Sequence, residues 1–130
     1  MTMPIRAKVL GVMLAAGAVP ACGGDGSGPA SGLLTVSLST ANTNDGAVMF
    51  TLTGAVDSVE AMPGYQAFTV AIDARTRRVI VIGDMGPGAL ARLHVRNAVA
   101  AAYQATVTQA AARGTFLQQP TVGYRLTIVP

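Results

Sequence analysis

Tryptophan is absent from this 130-residue chain, and cysteine, histidine and lysine occur once each, as Cys22, His94 and Lys8. Charged residues make up 12% and aromatic residues 5%. Each shortage removes a class of function. A lone cysteine cannot close an internal disulfide, and one histidine cannot assemble the convergent His and Cys ligands of a zinc site. His94 is the single conventional general base, and no Gly-x-Ser-x-Gly elbow accompanies it. Gly83-Asp84-Met85-Gly86-Pro87-Gly88 is glycine-rich but lacks the following Lys-Ser/Thr of a phosphate loop. Asp57 and Glu60 stand close together and read as loop carboxylates rather than as a pair facing across a cleft. The inventory predicts a protein that is not an enzyme and carries no metal and no cofactor.

What the chain has in plenty is apolar side chains, 51% of the total, and 15 glycines. The formal net charge of +3 would ordinarily raise the question of nucleic acid. Two of the nine basic residues, Arg6 and Lys8, lie in the first eight positions. Beyond them seven arginines face six carboxylates, a net charge of +1, so no nucleic-acid partner is expected.

Residues 1–21 read as an export signal. Arg6 and Lys8 form a positive start, Val9 to Val19 is an uncharged apolar run, and Val19-Pro20-Ala21 precedes Cys22. As a helix the run would span roughly 17 Å, well short of the ~30 Å hydrocarbon core, so it predicts a cleaved signal helix and no permanent span. At these residues the chain resembles bacterial lipoprotein precursors, whose lipobox ends in a small residue and then Cys. The resemblance implies a diacylglycerol on the Cys22 thiol, cleavage just before it, and Cys22 as first residue of the mature chain. The partner would then be the membrane itself, through lipid. By the sorting logic of that family, Gly23 after the Cys favours the outer membrane in a two-membrane cell. Residues 22–32, rich in Gly and Ser, read as a flexible tether with a reach of about 18 Å.

Residues 33–130 read as one domain of short alternating strands. Leu34, Val36 and Leu38 share a face, as do Val48, Phe50 and Leu52; Phe68, Val70 and Ile72; Leu93 and Val95; Tyr103, Ala105 and Val107; and Tyr124, Leu126 and Ile128. Asn42-Thr43-Asn44-Asp45-Gly46 is hairpin chemistry, since these residues tolerate positive φ. Asn42, Asn44 and Asp45 offer oxygens but lack the ordered spacing and distal Glu of a calcium loop. Asn97 to Ala102 suits a single helical turn capped by Asn97, whereas Thr106-Val107-Thr108 favours a strand over the Ala-rich stretch to Ala112. The sum is an all-β antiparallel β-sandwich of about seven to nine strands, with its few aromatics mostly in a thin core. The runs Gly46–Leu52 and Ala102–Val107 look like those of immunoglobulin-like or cohesin-like bacterial surface domains. In an immunoglobulin domain Tyr103 and Ala105 would stand at the corner Tyr and second Cys.

Two basic features could meet a partner. Arg75, Arg77 and Arg78 crowd an expected hairpin tip, and Arg92, His94 and Arg96 alternate with inward Leu93 and Val95 along one strand. A solvated, charge-defended strand is the ordinary explanation. The functional one is contact with an anionic polymer or an acidic envelope protein, with His94 adding charge when protonated. The expectation is a lipid-anchored, extracytoplasmic binding or structural module of the cell envelope. The alternative is a small accessory subunit docking through a sheet edge or its basic face.

Overall fold

Alternation of β-branched and polar residues becomes nine strands and one 3-10 turn in the computed structural model, which describes residues 30–130. The strands are β1 (Gly32–Ser39), β2 (Asp45–Thr53), β3 (Val56–Ala61), β4 (Gln66–Asp73) and β5 (Thr76–Met85). They continue with β6 (Gly88–Val95), the 3-10 turn Ala100–Ala102, β7 (Gln104–Ala112), β8 (Gln118–Gln119) and β9 (Arg125–Val129). A four-stranded sheet runs β9-β1-β6-β3 and a five-stranded sheet runs β8-β7-β2-β5-β4. Every pair is antiparallel. The described residues therefore form an all-β sandwich.

The core lies between the sheets. From one come Leu34, Val36, Leu38, Leu90, Leu93 and Val95, and from the other Val48, Phe50, Leu52, Val79 and Val81, all buried. Removing a side chain of this size from water contributes about 1.5–3 kcal/mol. Bulges adjust the alternation. Val36 pairs with Ala91 but Ser37 with Ala89, so Leu90 is the extra residue, and both Leu90 and Ala91 turn inward. On β7, Thr108 is skipped between Met49 and Phe50, and its hydroxyl donates to the Met49 carbonyl at 3.2 Å.

Three expectations need correction, and one shared face proves to be an outer one. The Asn42–Gly46 segment is not a hairpin: β1 and β2 belong to different sheets, so it carries the chain across the sandwich. Asp57 and Glu60 lie on β3, not in a loop, because β3 pairs with β6 over Val56–Ala61. Phe68, Val70 and Ile72 are about half exposed or more, because no described residue covers the outer side of β4 at the sheet margin. With Phe116 also exposed, the aromatics are divided between core and surface.

The ambiguous stretch after Asn97 resolves into both elements. Asn97 Oδ1 accepts the Val99 N–H at 3.2 Å, but Val99 rather than Asn97 is the cap of the 3-10 turn, and β7 begins at Gln104. Tyr103 is buried there, and its hydroxyl donates back to the Asn97 carbonyl at 2.7 Å. Gly54, at φ +134°, faces the Tyr103 ring so closely that a Cβ would overlap it.

Candidate functional site

Cys22, with Arg6 and Lys8, lies outside the described residues, as does most of the tether. The first strand starts at Gly32, where the tether was expected to end.

The alternation on β6 places Arg92 and His94 outward while Leu93 and Val95 are buried, as expected; Arg96, expected on the same strand, is exposed in the bend just after it. The neighbouring strand changes what this row presents. β3 is antiparallel to β6 and sets Glu60 opposite Arg92 and Ser58 opposite His94. Glu60 Oε1 lies 3.0 Å from His94 Nε2, and Asp57 Oδ1 lies 3.4 Å from Arg96 Nε. All four groups are solvent-exposed; the Arg96–Asp57 pair contributes about 0.2–1 kcal/mol to stability, and His94–Glu60 is an ion pair only when the imidazole is protonated. Their larger effect is on the surface potential, since two carboxylates offset the two arginines. The row is a mixed-charge strip rather than a basic ladder.

The second basic group is dispersed by the strand period. Only Arg75 sits in the two-residue turn between β4 and β5, where its N–H donates to Asp73 Oδ1 at 2.9 Å. That hydrogen bond, joined by one from the Thr76 side chain, holds the Asp73 carboxyl below its ordinary value. Arg77 and Arg78 belong to β5 and point to opposite faces. Arg77 donates to the Val56 carbonyl at 2.8 Å, bridging the sheets, whereas Arg78 is exposed.

A polar cluster that sequence reasoning missed closes one end of the sandwich. Asp45, the first residue of β2, is fully buried. Its Oδ1 accepts the Tyr124 hydroxyl at 2.7 Å and the Gln119 amide at 2.6 Å. Asn42 Nδ2 donates to the Tyr124 oxygen at 2.7 Å. Oδ2 of Asp45 is buried without a hydrogen-bond partner. Burial, together with the adjacent Asp45 carboxylate, pushes the Tyr124 hydroxyl above its ordinary value. Nearby, Arg113 holds the crossing segment through its N–H to the Asn44 carbonyl at 2.7 Å and its guanidinium to the Thr43 carbonyl at 3.0 Å. Gly46 is required here because a Cβ would come within 2.8 Å of the Arg113 backbone. The residues that bury Asp45 come from about 75 positions later in the chain. Nothing local in Asn-Asp-Gly distinguishes it from a solvated turn. Saturation of Oδ1 by two donors makes the cluster a clamp between the sheets.

The outer face of the five-stranded sheet carries the main apolar surface. Phe68, Ile80 and Met49 form one cross-strand row over β4, β5 and β2. The row runs into a shallow groove of about 230 Å³ lined by Ala47, Met49, Ile80, Gln109, Ala111 and Phe116. Phe116 stands over it with φ of 55°, unusual for a bulky side chain. Among the described residues no three His, Cys, Asp or Glu converge as a metal site. No helix among them is long and apolar enough to cross a membrane, which says nothing of a lipid anchor.

In comparisons with known proteins, no family model, no curated protein and no solved structure matches the chain.

Proposed function

We propose that the chain is a lipid-anchored, extracytoplasmic β-sandwich acting as a non-catalytic binding or structural module at the bacterial cell envelope. The observation that carries this proposal is the order of the first 32 residues: a positive start, an apolar run too short to span, small residues, Cys22, then a Gly-rich tether. The first strand of the sandwich starts at Gly32. Two acyl chains or more on Cys22 would hold it to a bilayer far more firmly than one. A tether of about 18 Å keeps the domain close to the surface. The outer membrane is the expected destination in a two-membrane cell.

A second reading, an accessory subunit of an envelope complex, is favoured by one observation. β4 is an exposed apolar edge, and the groove beside Phe116 adjoins the same face. Docking through the β6 face has less support, because Glu60 and Asp57 offset its arginines.

The test is the mass and location of the protein in cells. Intact-mass analysis should find the leader removed and lipid on Cys22, and Cys22→Ser should move the protein out of the membrane fraction. A mature chain with a free, unmodified thiol would sink the proposal. Proteins that co-purify stably after mild detergent extraction would favour the subunit reading over a free-standing module.

A further inference from the structure

We infer that β4 is a homodimerisation edge, pairing antiparallel with β4 of a second copy so that two five-stranded sheets join into one of ten strands. β4 is hydrogen-bonded to β5 on one side only. Every one of its residues except Ala67 is exposed, including Phe68 at 53%, Val70 at 62% and Ile72 at 49%. An open strand edge presents a row of unpaired N–H and C=O groups, and proteins ordinarily blunt such edges with charge, proline, a bulge or brevity.

The other edges among the described residues show that blunting. β8 is two residues long, and the part of β7 that it leaves without a strand partner, from Gln104 to Gln109, is interrupted by the bulge at Thr108. β3 carries Asp57 and Glu60 and a register irregularity between Val56 and Ser58. β9 opens on Arg125 and ends before Pro130. β4 has none of these protections from Gln66 to Ala71. Its single charge is Asp73 at the far end, and its one register shift falls after Ala71.

The sequence of β4 selects a second copy as occupant, because the strand is complementary to itself in one direction. A two-fold axis at Val70 sets Val70 opposite its own counterpart, Thr69 opposite Ala71 and Phe68 opposite Ile72 of the second copy, with Ile72 at the register shift that ends the regular stretch. Apolar residues then meet apolar residues, and no like charges face each other. Parallel, in-register pairing would instead stack Asp73 on Asp73. Arg78 is the cross-strand neighbour of Val70 on β5. Across the axis the two Arg78 would stand three strand spacings apart, about 14 Å, beyond the screening length of about 8 Å. The exposed outer row Phe68–Ile80–Met49 would continue through the junction. A single pair of short strands buries an area at the low end of specific interfaces, so the association is concentration-dependent.

The test uses the full-length protein in density-matched mild detergent. Sedimentation should show a monomer–dimer mixture that shifts toward dimer with concentration. Val70→Lys, which places two ammonium groups on the axis, should be monomeric with an unchanged melting temperature. Mild oxidation of Val70→Cys should give a dimer whose disulfide peptide mapping locates at position 70, since paired antiparallel residues lie within disulfide range. Thr53→Cys, exposed at the end of β2, should give little. A protein that stays monomeric at every concentration overturns the inference, as does a dimer that survives Val70→Lys. Equal cross-linking at positions 53 and 70 overturns it too, as does an edge occupied by a different protein with no homodimer.

Discussion

Tyr124 donates a 2.7 Å hydrogen bond to Oδ1 of Asp45, tying the entry to β9 in one sheet to the start of β2 in the other. The donor and acceptor are 79 positions apart, and Asn42 and Gln119 complete the contact. Buried polar groups joined in this way hold two layers in one register, and each partner leaves an unsatisfied group when the other is removed.

Replacing the donor should be costly. Tyr124→Phe removes the hydroxyl from a buried carboxylate and should lower stability by about 1.5–3 kcal/mol in denaturant unfolding. Asp45→Ala, which strands both the Tyr124 hydroxyl and the Gln119 amide, should cost more. A loss at Tyr124 no greater than that of an exposed substitution would show that the contact contributes nothing.

The same pair predicts an alkaline limit. Tyr124 titrates above its ordinary value of about 10 in the fold, because burial and then the Asp45 carboxylate disfavour the phenolate. Its contribution is therefore complete below pH about 10 and is lost as pH rises through the folded-state value. Unfolding midpoints measured from pH 9 upward should fall more steeply in the wild type than in Tyr124→Phe.

Gly54 and Gly64 offer a paired test of close approach. Both have positive φ, +134° and +89°. A methyl group at position 54 would meet the Tyr103 ring, whereas position 64 has open space around it. Gly64→Ala should cost about 1 kcal/mol for the backbone alone, and Gly54→Ala at least about 3 kcal/mol. Thermal melts of the two variants check the difference.

Phe50 and Thr51 compare the two faces of β2. Phe50 is fully buried and Thr51 lies on the outer face. Phe50→Ala should cost about 3–5 kcal/mol and Thr51→Ala under roughly 1 kcal/mol. Comparable losses at both would mean that the outer face of this sheet is covered in the working protein.

The strip on β6 should reveal its arginines only when its acids are neutralised. Glu60→Gln with Asp57→Asn should be retained on an anionic matrix to higher salt than the wild type. Equal retention of the two proteins would show that the pairs at 3.0 and 3.4 Å do not govern this face.

Much of the architecture was legible because side chains alternate with period two along a strand. That period alone grouped Leu34, Val36 and Leu38, then Val48, Phe50 and Leu52, then Leu93 and Val95, and each group is buried. It also set Arg92 and His94 on the opposite face of β6. Local turn chemistry was less informative: Asn42–Gly46 has hairpin composition but joins strands of different sheets. A period says which residues share a face, not whether another layer covers it.

The same residue pattern therefore met opposite fates in β2 and β4. The sequence by itself determined the positions of most strands, face sharing and the all-β class, because these follow from near neighbours along the chain. Only the tertiary structure decided that Asp45 is buried, that Glu60 and Asp57 offset the β6 row, and that Phe68 and Val70 face solvent. Each of these depends on which distant strand lies alongside or above. That choice is made by the summed burial of whole faces, which no short run of residues encodes.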